Sequence, residues 1–181
     1  VANHPLKREI IATFVANTVV NRTGATFVNF IAAEASATAG DVVRAYTLAR
    51  EIFDLEPLWD QIDKLDHHVS SALQLDLLSH LTTIAQRASR WILRVRSHNA
   101  DMPTLIQRYQ PGARELRAKL DTWLRPEARA DWIAATRRLT DAGVADDLAQ
   151  NLAALDFIFP VLDIVDLSLS ANLALEQAAQ T

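Results

Sequence analysis

Few side chains in this sequence stand at the spacings that chemistry needs. A phosphate cradle requires glycines close together, so that backbone N–H groups can approach the anion. Gly24, Gly40, Gly112 and Gly143 are far apart, so a dinucleotide crevice built by this chain alone is not expected. The histidines His4, His67, His68, His80 and His98 include no pair four apart that would set two imidazoles on one helix face for a metal. Adjacent His67 and His68 point in different directions on a helix and read as polar loop residues. No serine sits in a Gly-x-Ser-x-Gly turn, which excludes a nucleophile elbow. The absence of Cys removes thiolate nucleophiles, thiolate metal sites and disulfides together. No catalytic, cofactor-binding or metal-ligating residue is therefore assigned.

Four other groupings could act by contact. Asp156, Asp163 and Asp166 lie in an apolar stretch, where burial could raise a carboxyl pKa for acid–base work; pairing with arginines on neighbouring helices is the plainer expectation. Arg87, Arg90, Arg94 and Arg96 crowd the end of one helix around Trp91, where the helix dipole favours cations; a solvated or interface face is expected. Residues 31–46 resemble a helix-turn-helix, with small residues in the first helix and Val42 and Tyr46 as anchors of the second. As a DNA reader that second helix would enter the major groove, yet it offers only Arg44 and Arg50 against Asp41 and Glu51. Finally, Asn17 and Asn21 are four apart and share a helix face, with Arg22 following. These three are the candidate contact with another domain, the alternative being local packing within the bundle.

Helical periodicity runs through nearly the whole chain. Leu6, Ile10, Ile11, Phe14 and Thr18 fall on one face of a first helix that Gly24 ends. A second covers 25–35, and Thr38 with Asp41 forms a capping box for a third. Pro57 starts a short helix carrying Leu58, Trp59, Ile62 and Leu65. The strongest element spans about 70–96, opened by Ser71 and Gln74 at capping-box spacing. Leu73, Leu77, Leu81, Ile84, Ala88, Trp91 and Val95 recur there at steps of three and four. At 1.5 Å per residue this spine would be roughly 40 Å long. Asn99 and Asp101 form a turn, Pro111-Gly112 a break, Pro126 a restart and Gly143 a stop. Asp146 and Asp147 open the next helix, Pro160 kinks or restarts it, and a last helix covers 170–180. No strand alternation is convincing. The expected fold is all-α, a bundle of about eight to ten helices with one long central helix. Two helical subdomains are expected, 1–98 with the spine and 99–181 beyond it, the second cut short at the C-terminus.

The 181 residues suit one domain or one with a helical extension, and half of them are hydrophobic. A net charge of −4 argues against a general polyanion binder. Thr13, Asn17 and Thr18 interrupt the apolar stretch 10–20, and Asp163 and Asp166 interrupt 157–175, so neither reads as a membrane span.

The blocks His4 to Thr13, Asn17 to Asn21, and Arg22 to Val28 closely resemble the C-terminal helical region of the large bacterial NAD-specific glutamate dehydrogenases. Asp41 to Tyr46, Ala49 to Phe53, Leu58-Trp59, Ala72 to Leu75, Arg90-Trp91, Ala142-Gly143 and Leu162 to Val165 continue the likeness. Phe30 and Ser36 depart from it, standing where a basic residue and a glycine are usual. The resemblance implies a very long parent that interconverts L-glutamate, NAD and water with 2-oxoglutarate, ammonia and NADH. The only lysines, Lys7, Lys64 and Lys119, match no catalytic motif of that family. The resemblance thus implies a non-catalytic module, with NAD and the catalytic core upstream in the same polypeptide. It also implies a cytoplasmic parent that forms a homo-oligomer, with neither nucleic acid nor membrane as partner. The alternative function is a helical DNA-binding or ligand-sensing regulator built on 31–46.

Overall fold

In the computed structural model, residues 4–24, 26–95 and 101–179 are described, apart from the side chain of Val95. The expectations placed on Ala25, Arg96, His98, Asn99 and Gln180 lie outside them. The described residues form eleven helices and no strand: α1 Lys7–Thr23, α2 Phe27–Ala35, α3 Ala39–Ile52, α4 Leu55–Asp63, α5 Ser71–Val95, α6 Met102–Ala118, α7 Leu120–Trp123, α8 Pro126–Asp141, α9 Asp146–Ile158, α10 Val161–Ala171 and α11 Leu175–Ala179. The fold is all-α, as the periodicity indicates. The two shortest elements, α7 and α11, have four and five residues, too few for a periodic pattern to declare itself.

The apolar stripe of α5 organises the bundle. Leu77, Leu81, Ile84, Ala85, Ala88 and Ile92 are buried along it, and α3, α4, α1, α2 and α9 pack around it. At 25 residues it is about 37 Å long. Its start differs by one residue from the capping box expected at Ser71. The Ser70 hydroxyl accepts the Leu73 N–H at 3.2 Å, while Gln74 reaches away to donate to the Ile62 carbonyl at 2.9 Å. The Thr38–Asp41 capping box of α3 is present in full.

Beside a small cluster of Phe27, Ile31 and Val42, the main core cluster contains residues from Val19 through Val165. It joins α3 and α5 to α6, α9 and α10. Burying that much apolar surface on so short a chain is the dominant favourable term in folding. α6 runs unbroken through Pro111, where a break was expected. Leu105, Tyr109, Ala113 and Leu116 continue the buried stripe across it, so packing outweighs the one backbone hydrogen bond that Pro111 removes. The adjacent Gly112 lets α10 close in: a Cβ there would stand 2.7 Å from Val165 Cγ2. Pro160 does restart the chain, since α9 ends at Ile158 and α10 begins at Val161. Gly143 stops α8 at φ +95°, in the left-handed region.

Among the described residues, the buried hydroxyls of Tyr46 and Thr136 lack a partner. Tyr46 is buried in the core and stacks on Trp59, with ring centroids 6.4 Å apart, and its hydroxyl has no hydrogen bond. Burial, with the Glu56 carboxylate adding to it, pushes its pKa up to about 12. A folded-state value above the unfolded one means this stabilisation is intact below about pH 10 and is lost as pH rises through about 12.

Two substitutions test this packing. Gly112→Ala is expected to lower stability by about 1–3 kcal/mol through overpacking, read as a drop in the urea midpoint. Tyr46→Phe is expected to leave stability at pH 7 unchanged or raised by about 1 kcal/mol and to flatten the decline between pH 10 and 12. A strongly destabilised phenylalanine variant would mean that the hydroxyl has a partner.

Candidate interdomain contact surface

The candidate residues lie on α1, and what fixes α1 is its C-terminal end. The last carbonyls of a helix have no partner within it. Thr82 of α5 donates its hydroxyl to the Arg22 carbonyl at 2.8 Å, and Gln86, one turn on, donates to the Thr23 carbonyl at 3.0 Å. Val19 and Thr23 are buried and Val15 is partly buried against the core. The Thr23 hydroxyl donates to the Val19 carbonyl at 2.6 Å. Arg22 turns toward the same side. Its guanidinium lies 5.2 Å from the Trp59 ring centroid and meets Asp63 at 3.4 Å.

Asn17 and Asn21 point the other way. Both are exposed, and neither has a hydrogen-bond partner among the described residues. They therefore do not pack within the bundle, and Arg22 does not share their face. Helical spacing puts Ile10, Phe14, Asn17 and Asn21 on one row, with Leu6 beside it. The apolar members are open to solvent, Phe14 at 68% and Leu6 at 56% exposure, with Ile10 and Ile11 also exposed. The sequence sets Leu6, Ile10, Ile11, Phe14 and Thr18 on one face of this helix, the face on which apolar burial would be expected. The structure buries the opposite side, through Val15, Val19 and Thr23, because only the C-terminal part of α1 meets α3 and α5. A contiguous apolar stripe of this kind is rare on a surface that faces only water.

The other candidates resolve into local roles. Asp166 accepts from Arg108 at 2.6 Å and from the Tyr109 hydroxyl at 2.8 Å. Asp163 accepts from the Trp91 indole at 2.9 Å, and Asp156 stands 3.7 Å from His80. These carboxylates tie α9 and α10 to α5 and α6. Among the described residues no group of three or more His, Asp or Glu could hold a metal. No helix among them is long and apolar enough to cross a membrane.

The helix-turn-helix reading of 31–46 is corrected by the packing. Its second helix, α3, lies between α5 and α6, and every residue from Asp41 to Ile52 is buried or half-buried. None of these residues stands fully exposed, as the base-reading side of a recognition helix must. Ser36, standing where a glycine was expected, adopts the left-handed conformation at φ 51°, so the turn survives without one.

Sequence reasoning missed a second exposed grouping. Phe30 is 62% exposed beside Arg90, and its departure from the expected basic residue was the available signal.

Stability of the chain should separate the two sides of α1. Thr82→Val, which leaves the Arg22 carbonyl without its donor, is expected to cost about 1 kcal/mol. Asn17→Ala and Asn21→Ala are expected to change the urea midpoint by less than about 0.5 kcal/mol equivalent. A large loss in either asparagine variant would place that side chain inside the fold.

Comparison with known proteins identifies the chain's relatives. A family model described as "Glutamate dehydrogenase, C-terminal" matches residues 1–181. The NAD-specific glutamate dehydrogenase of Halomonas elongata is 36% identical over 162 residues, covering 90% of this chain and 10% of that protein. That of Pseudomonas aeruginosa is 34% identical over 165 residues, covering 91% and 10%. That of Mycobacterium tuberculosis is 27% identical over 165 residues, with the same coverage. The chain spans about one tenth of the length of these curated relatives.

Proposed function

The chain belongs to the glutamate dehydrogenase C-terminal family, and from that premise we propose that it is a non-catalytic helical module of a much longer NAD-dependent glutamate dehydrogenase. The parent oxidises L-glutamate with NAD and water to 2-oxoglutarate, ammonia and NADH. The module packs against the catalytic core of the same polypeptide, in a cytoplasmic homo-oligomer, and serves assembly or regulation. The observation that carries this reading is the outer row of α1. Ile10 and Phe14 are exposed next to Asn17 and Asn21, whose amides have no partner in the bundle. An apolar stripe with hydrogen-bonding amides at one end suits a protein interface, where a covered core is flanked by polar groups. The curated relatives are about ten times longer, which leaves room in the same polypeptide for a covering surface. Arg22 contributes indirectly, by holding the end of α1 on Trp59 and Asp63.

The non-catalytic reading is supported by what the polar groups do. The carboxylates of α10 accept hydrogen bonds from Trp91, Arg108 and Tyr109, and the four glycines are scattered.

In the full-length enzyme, Asn17→Trp together with Asn21→Trp is expected to lower the assembled mass in sedimentation or to cut the rate of glutamate oxidation at least severalfold. The same pair in the 181-residue chain should leave its unfolding curve in place, because both positions face outward. Wild-type mass and rate in the full-length variant would remove α1 as the contact. The 181-residue chain given glutamate and NAD should produce no NADH.

A further inference from the structure

A second surface is built on α5, beside the Trp91–Asp163 hydrogen bond. Arg87, Arg90 and Arg94 stand at steps of three and four on α5, so they share one side of the helix. Together with Trp91 and Phe159 they line a cleft of about 240 Å³. Arg90 and Arg94 grip the two oxygens of Glu34 at 3.1 and 2.7 Å. Those hydrogen bonds, from Arg90 foremost, hold the Glu34 carboxyl below its usual range. Arg87 has no carboxylate partner among the described residues. Its guanidinium instead lies over the Phe159 ring, 4.3 Å from the centroid. Stacking of this kind fixes the plane of the cation and leaves its N–H edge free to donate. Arg94 is 67% exposed even with Glu34 in place, and the exposed Phe30 extends the patch past Arg90. Three cations against the two carboxylates Glu34 and Asp163 leave this patch positive on a chain whose net charge is −4.

Arg, Trp and Phe are the residues enriched where protein partners dock. We propose that this cleft is a docking site for an acidic protein segment, whose carboxylates pair with Arg87 and the outward donors of Arg94 while an apolar side chain rests on the exposed Phe30. Charge complementarity selects that occupant. The Glu34 carboxylate already shows how these arginines grip such a group. Glu34 and Asp163, the latter held by Trp91, also place negative charge at the edges of the cleft. They repel a long run of negative charge, whether of phosphates or of acidic side chains, and so favour a segment with few carboxylates beside an apolar residue. The surface is separate from the outer row of α1, so the two stand or fall independently.

The test uses the 181-residue chain, in which α5 lies in the main core cluster and α2 in a smaller one beside it, and a fluorescein-labelled peptide of glutamates flanking a leucine. Anisotropy should show saturable binding that weakens as sodium chloride rises from about 50 to about 300 mM. Binding should be about tenfold weaker in Arg87→Gln and in Arg94→Gln, as expected for loss of a charged contact at an interface. Both side chains are exposed, so the circular dichroism and urea midpoint of the Arg87→Gln variant should match the wild type. Equal binding of the glutamine version of the peptide, no saturation at low salt, or no loss in Arg87→Gln would each overturn the proposal. Displacement by millimolar glutarate or phosphate would show a small-anion site instead, and tighter binding of a DNA duplex would show a nucleic-acid surface.

Discussion

A short helix ends in carbonyl groups that its own backbone cannot satisfy, and in a bundle those ends face other helices as often as water. Here one ridge of α5 answers two of them, the ends of α4 and α1. Gln74 donates to the end of α4, and Thr82 and Gln86 donate to the end of α1. Arg90 and Arg94 continue the same four-residue row to Glu34 on α2. α6 repeats the device on α3. Gln110 donates to the Glu51 carbonyl at 2.7 Å and Arg117 to the Phe53 carbonyl at 2.8 Å, while Arg114 pairs with Asp54 through two bonds. Apolar burial is non-directional. These donors are what fix where each short helix stops and how it is set against the spine.

The apolar side of the same helices supplies the driving force. Close approaches such as Gly112 against Val165, and the Phe53–Phe159 stack with centroids 6.2 Å apart, bring α6, α3 and the α9–α10 junction into one core. Tyr46 shows the cost side of that packing. Its ring fills the space beside Trp59, while its hydroxyl goes without a partner.

The long helix, the Thr38 capping box, the stop at Gly143 and the restart at Pro160 were legible because each rests on local chemistry. Side-chain periodicity, a hydroxyl at the right offset and an unusual backbone angle need no knowledge of neighbours. The run of α6 through Pro111 was not legible, since it depends on Leu105 to Leu116 finding α3 and α10. The same holds for α1. Its sequence carries two apolar stripes, and the larger, Leu6 to Phe14, was the natural choice for the core. Which stripe is buried is decided by Thr82 and Gln86, some 60 positions away in the chain, and periodicity holds no record of them. Spacing sets Asn17 and Asn21 on one exposed row, while Arg22, next to Asn21, turns to Trp59 and Asp63, because one residue along a helix is a turn of about 100°.

The open flank of α1 has a practical bearing on work with the isolated 181 residues. Oily side chains left bare find one another as concentration rises, so particles heavier than a single copy would have a ready source in Leu6, Ile10 and Phe14. A stoichiometry measured on this piece by itself would then report stickiness, and the subunit count of the parent would have to be weighed on the whole polypeptide.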